Sequence, residues 1–200
     1  MKAILMSIKP QHVANILNGI KTLEIRKKFP KDYVGWVYIY CTKDKNNLLH
    51  KNCANIWWVE DKDFQKKNKR LGIEQQPIYN GKVVARFWCD NVEEILLKQN
   101  GNYYTNTLSN NKLLTQSCLT QSEIFDYLDG NWKQKFCSYW YGGYAIHITK
   151  LEIFDKPKEI SEFKHNIKVD CYNAYIDDEI KELRQFPLTR APQSWCYVEV

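Results

Sequence analysis

No two cysteines in this chain stand at C-x-x-C spacing, although seven are present, at positions 41, 53, 89, 118, 137, 171 and 196. An odd number without metal-ligand spacing excludes a zinc site and a disulfide framework, and reads as buried thiols of a reducing cytosol. Long apolar runs are missing too. The opening MKAILMSIKP has only four apolar residues in a row before Ser7 and Lys9, too few for a signal peptide. No stretch approaches the roughly 20 residues of a membrane span, so the expected protein is soluble and cytoplasmic, with no membrane partner. A P-loop, a dinucleotide glycine pattern, a nucleophile elbow and a metal-spaced ligand cluster are all absent, which counts against an enzyme without removing that reading, and leaves no expected cofactor or metal. Internal repeats and low-complexity tracts are absent as well. Only two methionines stand against thirteen tyrosines and seven tryptophans. Wide flat side chains suit pleated, half-buried surfaces, so a β-rich protein is expected rather than a helical bundle.

What is present is a chain of 200 residues, 44% hydrophobic and 26% charged, with a formal charge of +6 and an isoelectric point near 8.8. Those are globular values, and the length suits one domain, 1–200. The basic balance leans toward an anionic partner such as nucleic acid, RNA or a single nucleotide first and DNA as a further option.

Along the chain, residues 2–8 read as a strand. A helix follows from Pro10, which presets the first turn, to about Asn18, where Gly19 supplies the φ > 0 cap. In KTLEIRKK, Leu23 and Ile25 alternate with Thr22, Glu24 and Arg26, a strand pattern with one aliphatic and one polar face. GWVYIYC, residues 35–41, is a strong strand signal. Residues 43–80, polar and lysine-rich around IWWVED and KKNKR, read as an insertion or long functional loop. GKVVARFWCD, 81–90, resumes as a strand, and 101–117 reads as an Asn/Thr-rich loop. LTQSEI then starts a helix: Thr120 and Glu123 form a capping box, with Leu119 and Ile124 as its hydrophobic staple. YAIHITKLEIF reads as one long strand and SWCYVEV as the last.

Four stretches together, SIKPQHVANILNGIKTLEIRKK, GKVVARFWCD, GYAIHITKLEIFDKPKEISEF and RAPQSWCYVEV, resemble an ASCH domain, a member of the PUA-like group. Residues 43–80 and much of 165–187 lie outside the match. The resemblance implies an α+β fold: a PUA-like mixed β-barrel of about five to seven strands, with short helices packed on it and a long insertion at 43–80. It further implies a cleft beside the first helix and the following strand that binds RNA or single nucleotides. Some members are enzymes, either amidohydrolases acting on acetylated cytidine with a Lys, Thr and Glu set, or ribonucleases.

Amidohydrolases of this kind carry G-x-K-T-x-T-x-R, and this chain reads G-I-K-T-L-E-I-R. Lys21 holds the lysine place, but Glu24 stands where the nucleophilic threonine belongs. If the chain is an enzyme, Lys21 and Glu24 are the catalytic candidates, with His12 for acid-base work near neutral pH. For Lys21, Glu24, Arg26 and Lys27 the bland reading is a solvated strand face. The functional one is a polar cleft in which the cations hold phosphate and Glu24 accepts hydrogen bonds from a base edge. Lys9 precedes a helix N-terminus, where amides favour anions, and Lys28 extends the cluster. Ser7 reads as a cap. Of the adjacent pair Trp57 and Trp58, only one can face a core, so Trp58 is a stacking candidate. KKNKR reads as a phosphate-tracking patch or as a solvated loop. In the C-terminal loop Arg190, Gln193, Ser194 and Trp195 are a set fit for a nucleotide's phosphate, edge and face. Trp36, Tyr38, Trp88 and His147 read as structural.

Three functions follow: a nucleic-acid-binding module with a basic cleft, an enzyme acting on RNA or nucleosides, or a protein-interaction module of phage or mobile-element origin that docks through 43–80.

Overall fold

The computed structural model describes residues 2–71, 77–98, 103–128, 133–136, 139–173 and 178–200. Strand β1 (Lys2–Ile8) is buried from Ala3 onward because both of its faces are covered. Ile4, Met6 and Ile8 join one apolar cluster, and Ala3 and Leu5 join another. Helix α1 (Pro10–Leu17) begins at its proline and ends at Asn18, followed by Gly19 at φ +73°. Strands β2 (Leu23–Arg26) and β3 (Gly35–Cys41) come next.

Within 43–80 the chain forms a hairpin, β4 (Leu48–Lys51) with β5 (Trp57–Glu60), and a helix, α2 (Lys62–Arg70). KKNKR is therefore helical rather than a loop. Asp61 starts the helix by accepting from the amides of Asp63 and Phe64 at 3.0 and 2.9 Å. The hairpin is fastened to α1: the Asn18 side chain donates to the Trp57 carbonyl at 2.7 Å and accepts from the Trp57 amide at 2.9 Å.

The chain continues through β6 (Val83–Cys89), β7 (Val92–Lys98) and β8 (Tyr103–Tyr104). Helix α3 (Asn110–Ser117) occupies much of the stretch expected as a loop. Its sequence shows little periodicity because, of its residues, only Leu113 and Ser117 are buried. Helix α4 (Gln121–Leu128) carries the expected capping box: Glu123 accepts from the Thr120 amide at 2.7 Å, and the Glu123 amide donates to Thr120 at 3.3 Å. After β9 (Lys133–Phe136), the run expected as one strand is two, β10 (Tyr139–His147) and β11 (Thr149–Lys158). The chain changes sheets at Ile148, whose amide donates to the Thr22 carbonyl at 2.9 Å. A long hairpin of β12 (Lys164–Asn173) and β13 (Asp178–Pro187) precedes β14 (Trp195–Glu199).

The fold is α+β, with few short helices on sheets. The larger sheet runs β11-β6-β3-β1-β14-β12-β13; the second runs β2-β10-β7-β8 with β9 on β10; β4 and β5 stand apart. Among the described residues these pairings form open sheets. β1 is parallel to β3, with α1 and β2 in the crossover, and antiparallel to β14. A third apolar cluster, with Leu23, Ile25, Leu113, Ile124 and Leu128, lies between the second sheet and α3 and α4. No helix among the described residues is long and apolar enough to cross a membrane. Cys41, Cys53, Cys89, Cys118 and Cys196 are free thiols, and burial pushes those of Cys41 and Cys89 up to about 12; Cys137 lies outside the described residues.

Candidate functional site

The crossover from β1 through α1 to β2 leaves a cavity of about 550 Å³. The end of β1 contributes Ser7 and Ile8; the start of α1 contributes Lys9, Gln11 and His12; Lys21, Glu24, Ile25 and Arg26 form the β2 wall. Thr42 after β3, Leu119, Glu123 and Tyr127 of α4 with its approach, and Gln193 with Ser194 before β14 complete it.

The alternation in β2 is real, but both sides are covered. Leu23 and Ile25 enter the third cluster, and the polar side is buried as well, with Glu24 only 5% and Arg26 only 7% exposed. The bland reading of a solvated strand face therefore fails for Glu24 and Arg26 and holds for exposed Lys27. Lys21, preceding the strand, is 1% exposed. Charges so buried must be partnered, because desolvation costs several kcal/mol per ion. Glu24 is the shared partner: Oε1 lies 3.0 Å from Arg26 and Oε2 lies 3.4 Å from the Lys21 ammonium. Lys21 also donates to the Ser117 carbonyl at 2.6 Å, and Arg26 donates to the Ser7 carbonyl at 2.7 Å. Burial alone pushes the Glu24 carboxyl up, but Lys21, Arg26 and His12 outweigh it and hold the group below the usual carboxylate range. Burial lowers His12, with Lys21, Lys9 and Arg26 adding to it and Glu24 opposing, so its imidazole is neutral at physiological pH.

Three buried side-chain atoms on this cavity have no hydrogen-bond partner: His12 Nδ1, Glu24 Oε2 and Arg26 Nε. Buried polar atoms are nearly always bonded, so these three, on residues that line one hollow, are unmet hydrogen-bonding capacity concentrated in its wall; Glu24 Oε2 keeps its 3.4 Å ion pair with Lys21.

The remaining candidates are distributed unevenly. Lys9, Gln193 and Ser194 line the cavity with the buried trio. Ser7 does so too, but it does not cap α1; its hydroxyl donates to the Pro192 carbonyl at 2.6 Å and ties β1 to the C-terminal loop. Lys27 and Lys28 are exposed and outside the lining; Lys27 reaches over the Tyr127 ring at 5.8 Å. Trp195 is half-buried and outside the cavity lining. Its indole donates to the Lys28 carbonyl at 2.7 Å, and its ring meets Phe29 and Tyr197 edge-on. Trp58 lies on the β4–β5 hairpin, stacked on His50 at 4.9 Å, and not on the cavity. Arg190 lines a neighbouring hollow. Thr22 is exposed and outside the lining, so no hydroxyl follows Lys21 into the site. His147 is structural, 3.0 Å from Glu93. Thr42, Glu123 and Tyr127 were not legible as site residues, and Glu123 carried only its capping signal. Among the described residues, no three metal-ligating side chains gather as a metal site.

No protein-family model matches the chain, and no curated protein matches it. Among solved structures it is similar to a crystal structure of ASCH from Zymomonas mobilis, with 14% identity and a TM-score of 0.44 over 79% of this chain and 73% of that one. It is also similar to a point mutant of that protein, with 13% identity and a TM-score of 0.42 over 80% and 77%. Both belong to the family that the four sequence stretches resemble.

Proposed function

We propose that this chain is an ASCH-type nucleic-acid-binding module whose cavity takes one base of RNA, or one modified nucleoside, edge-first against Arg26 and Glu24. The observation that carries this reading is a donor without a hydrogen-bond partner, Arg26 Nε, beside a Glu24 carboxylate whose Oε2 has only its 3.4 Å ion pair with Lys21, both on one wall of the cavity. A phosphate presents acceptors only, whereas a base edge presents donors and acceptors side by side. The salt bridges hold both groups in place, so little ordering cost is left for binding. Leu119 and Tyr127 offer apolar surface to a ring, and about 550 Å³ falls within the usual range for small-ligand sites. Exposed Lys9 at the mouth attracts the adjoining phosphate.

The test is calorimetric titration with ribonucleosides, acetylcytidine and short single-stranded RNA at low salt. Nucleoside binding is expected to depend weakly on salt, because the buried cations are already neutralised, while RNA binding falls as salt rises. Absence of binding by every probe sinks the reading.

A second reading, ribonuclease activity, is favoured by one observation: His12, held toward its neutral form by burial and with Nδ1 unpartnered, lines the cavity and is the side chain there best suited to act as a base toward a ribose hydroxyl. Lys21 is a poorer base, since its ammonium already donates to the Ser117 carbonyl. Cleavage of labelled RNA that disappears in His12→Asn would support it, and cleavage that persists would assign the activity elsewhere.

A further inference from the structure

A second cavity, of about 520 Å³, adjoins the first. The two share Ser7, Thr42 and Gln193. The shared wall has a structural origin. Ser7 and Tyr40 are partners in the parallel β1–β3 ladder, and the Thr42 amide donates to the Ile8 carbonyl at 2.9 Å, so both hollows open over the carboxyl ends of the same two strands. The loop before β14 closes over them, held by the Ser7 amide donating to the Ser194 carbonyl at 2.9 Å.

The two hollows differ in what their cations are doing. In the first, Lys21 and Arg26 are committed to Glu24. In the second, Lys43 and Arg190 are exposed, and the Glu159 carboxylate there is already paired with Lys82. Lys43 is also directed: its stem lies over Gly81, so close that a Cβ at that position would stand 3.1 Å from Lys43 Cε. Gly81 has φ +81°, a conformation that favours glycine, and its hydrogen leaves room for the lysine to lie along the hollow.

Building on the base-binding reading, we propose that the chain grips two consecutive nucleotides of a single strand. One base fills the first cavity, the linking phosphate crosses the shared wall of Ser7, Thr42 and Gln193 toward Lys43 and Arg190, and the next nucleoside occupies the second cavity. This makes the ligand a strand and not a free nucleoside. It also gives Arg190 a place that the first cavity does not.

The experiment compares each ribonucleoside with its 3′,5′-linked homodinucleotide by calorimetry, in the unmodified chain and in the double variant Lys43→Gln, Arg190→Gln. Both side chains are exposed, so the variant is expected to keep the wild-type melting temperature. In the wild type the dinucleotide should bind about tenfold more tightly than its nucleoside, the effect of one well-placed charged contact. In the variant that ratio should drop below about three, with a salt slope shallower by about 0.7 per lost phosphate contact. If nucleosides bind but the wild-type ratio is near one, the base cavity stands and the second subsite is wrong. A ratio that survives both substitutions overturns the assignment of Lys43 and Arg190. Failure of every probe to bind removes the base cavity and this inference together.

Discussion

Two regions of this chain carry the same number of cations. The α1–β2 junction has Lys9, Lys21, Arg26, Lys27 and Lys28; helix α2 has Lys62, Lys66, Lys67, Lys69 and Arg70. Folding treats them oppositely. On α2 every one of those side chains is exposed, and the Lys66–Asp63 pair, 3.6 Å apart, sits in open solvent, where such pairs contribute about 0–1 kcal/mol. At the junction two of the five are drawn under the surface and locked to a single carboxylate. Cationic content therefore does not separate the two regions; forced burial of charge does, because it fixes geometry and leaves unmet hydrogen-bonding atoms.

The sharpest way to break that contrast is to neutralise the acid in each region. Glu24→Gln strands Lys21 and Arg26 without their counter-charge, and is expected to cost about 3–5 kcal/mol in denaturant unfolding. Asp63→Asn on α2 should change stability by less than about 0.5 kcal/mol. Comparable losses would refute the distinction.

A smaller effect is expected at Gly143, which backs the junction. A Cβ there would lie 2.7 Å from the Arg26 carbonyl oxygen and 2.7 Å from Leu128. Gly143→Ala should cost about 1–3 kcal/mol in thermal unfolding as β10 is pushed from β2, and should weaken nucleoside binding with it. A neutral outcome would mean that the seat of Arg26 is softer than its burial implies.

Acid supplies a third test. Burial, aided by Lys21, Lys9 and Arg26, holds His12 below its ordinary 6.5, so between that value and its lower folded pKa the unfolded chain binds the extra proton. The contribution is present above pH 6.5 and is lost as pH falls through the folded value. Glu24, also depressed, adds a second loss in the same direction at lower pH. Stability measured from pH 7.5 to 5.5 should therefore fall, and His12→Asn should flatten that limb; an unchanged limb would place the titrating group elsewhere. The least effect belongs to α2: Lys66→Gln, Lys67→Gln and Lys69→Gln together should leave nucleoside affinity and the melting temperature nearly unchanged, and a tenfold loss of affinity would bring α2 into the site.

Features set by neighbours in the chain were legible. Pro10 and Gly19 bounded α1, Thr120 and Glu123 capped α4, and the aromatic run 35–41 was a strand. Lys9, Lys21, Glu24, Arg26 and His12 were singled out before their surroundings were known. Signals failed where distant chain decides the outcome. The helix α3 shows little amphipathic pattern because two of its residues carry the burial. The break at Ile148 lies inside an unbroken β-like run, since the change of sheet depends on Thr22. The edge-on contacts of Trp195 with Phe29 and Tyr197, and the bond from its indole to the Lys28 carbonyl, had no local signal either.

Helix ends and strand alternation come from backbone sterics and hydrogen bonds that reach a few residues, and these the amino-acid order determined by itself. Whether a polar face meets water or a covered hollow depends on contacts such as Lys21 with Ser117, 96 positions away, and Ser7 with Pro192, 185 away. Only the tertiary structure decided that, because the cost of burying a charge is set by everything packed around it and not by its neighbours in the chain.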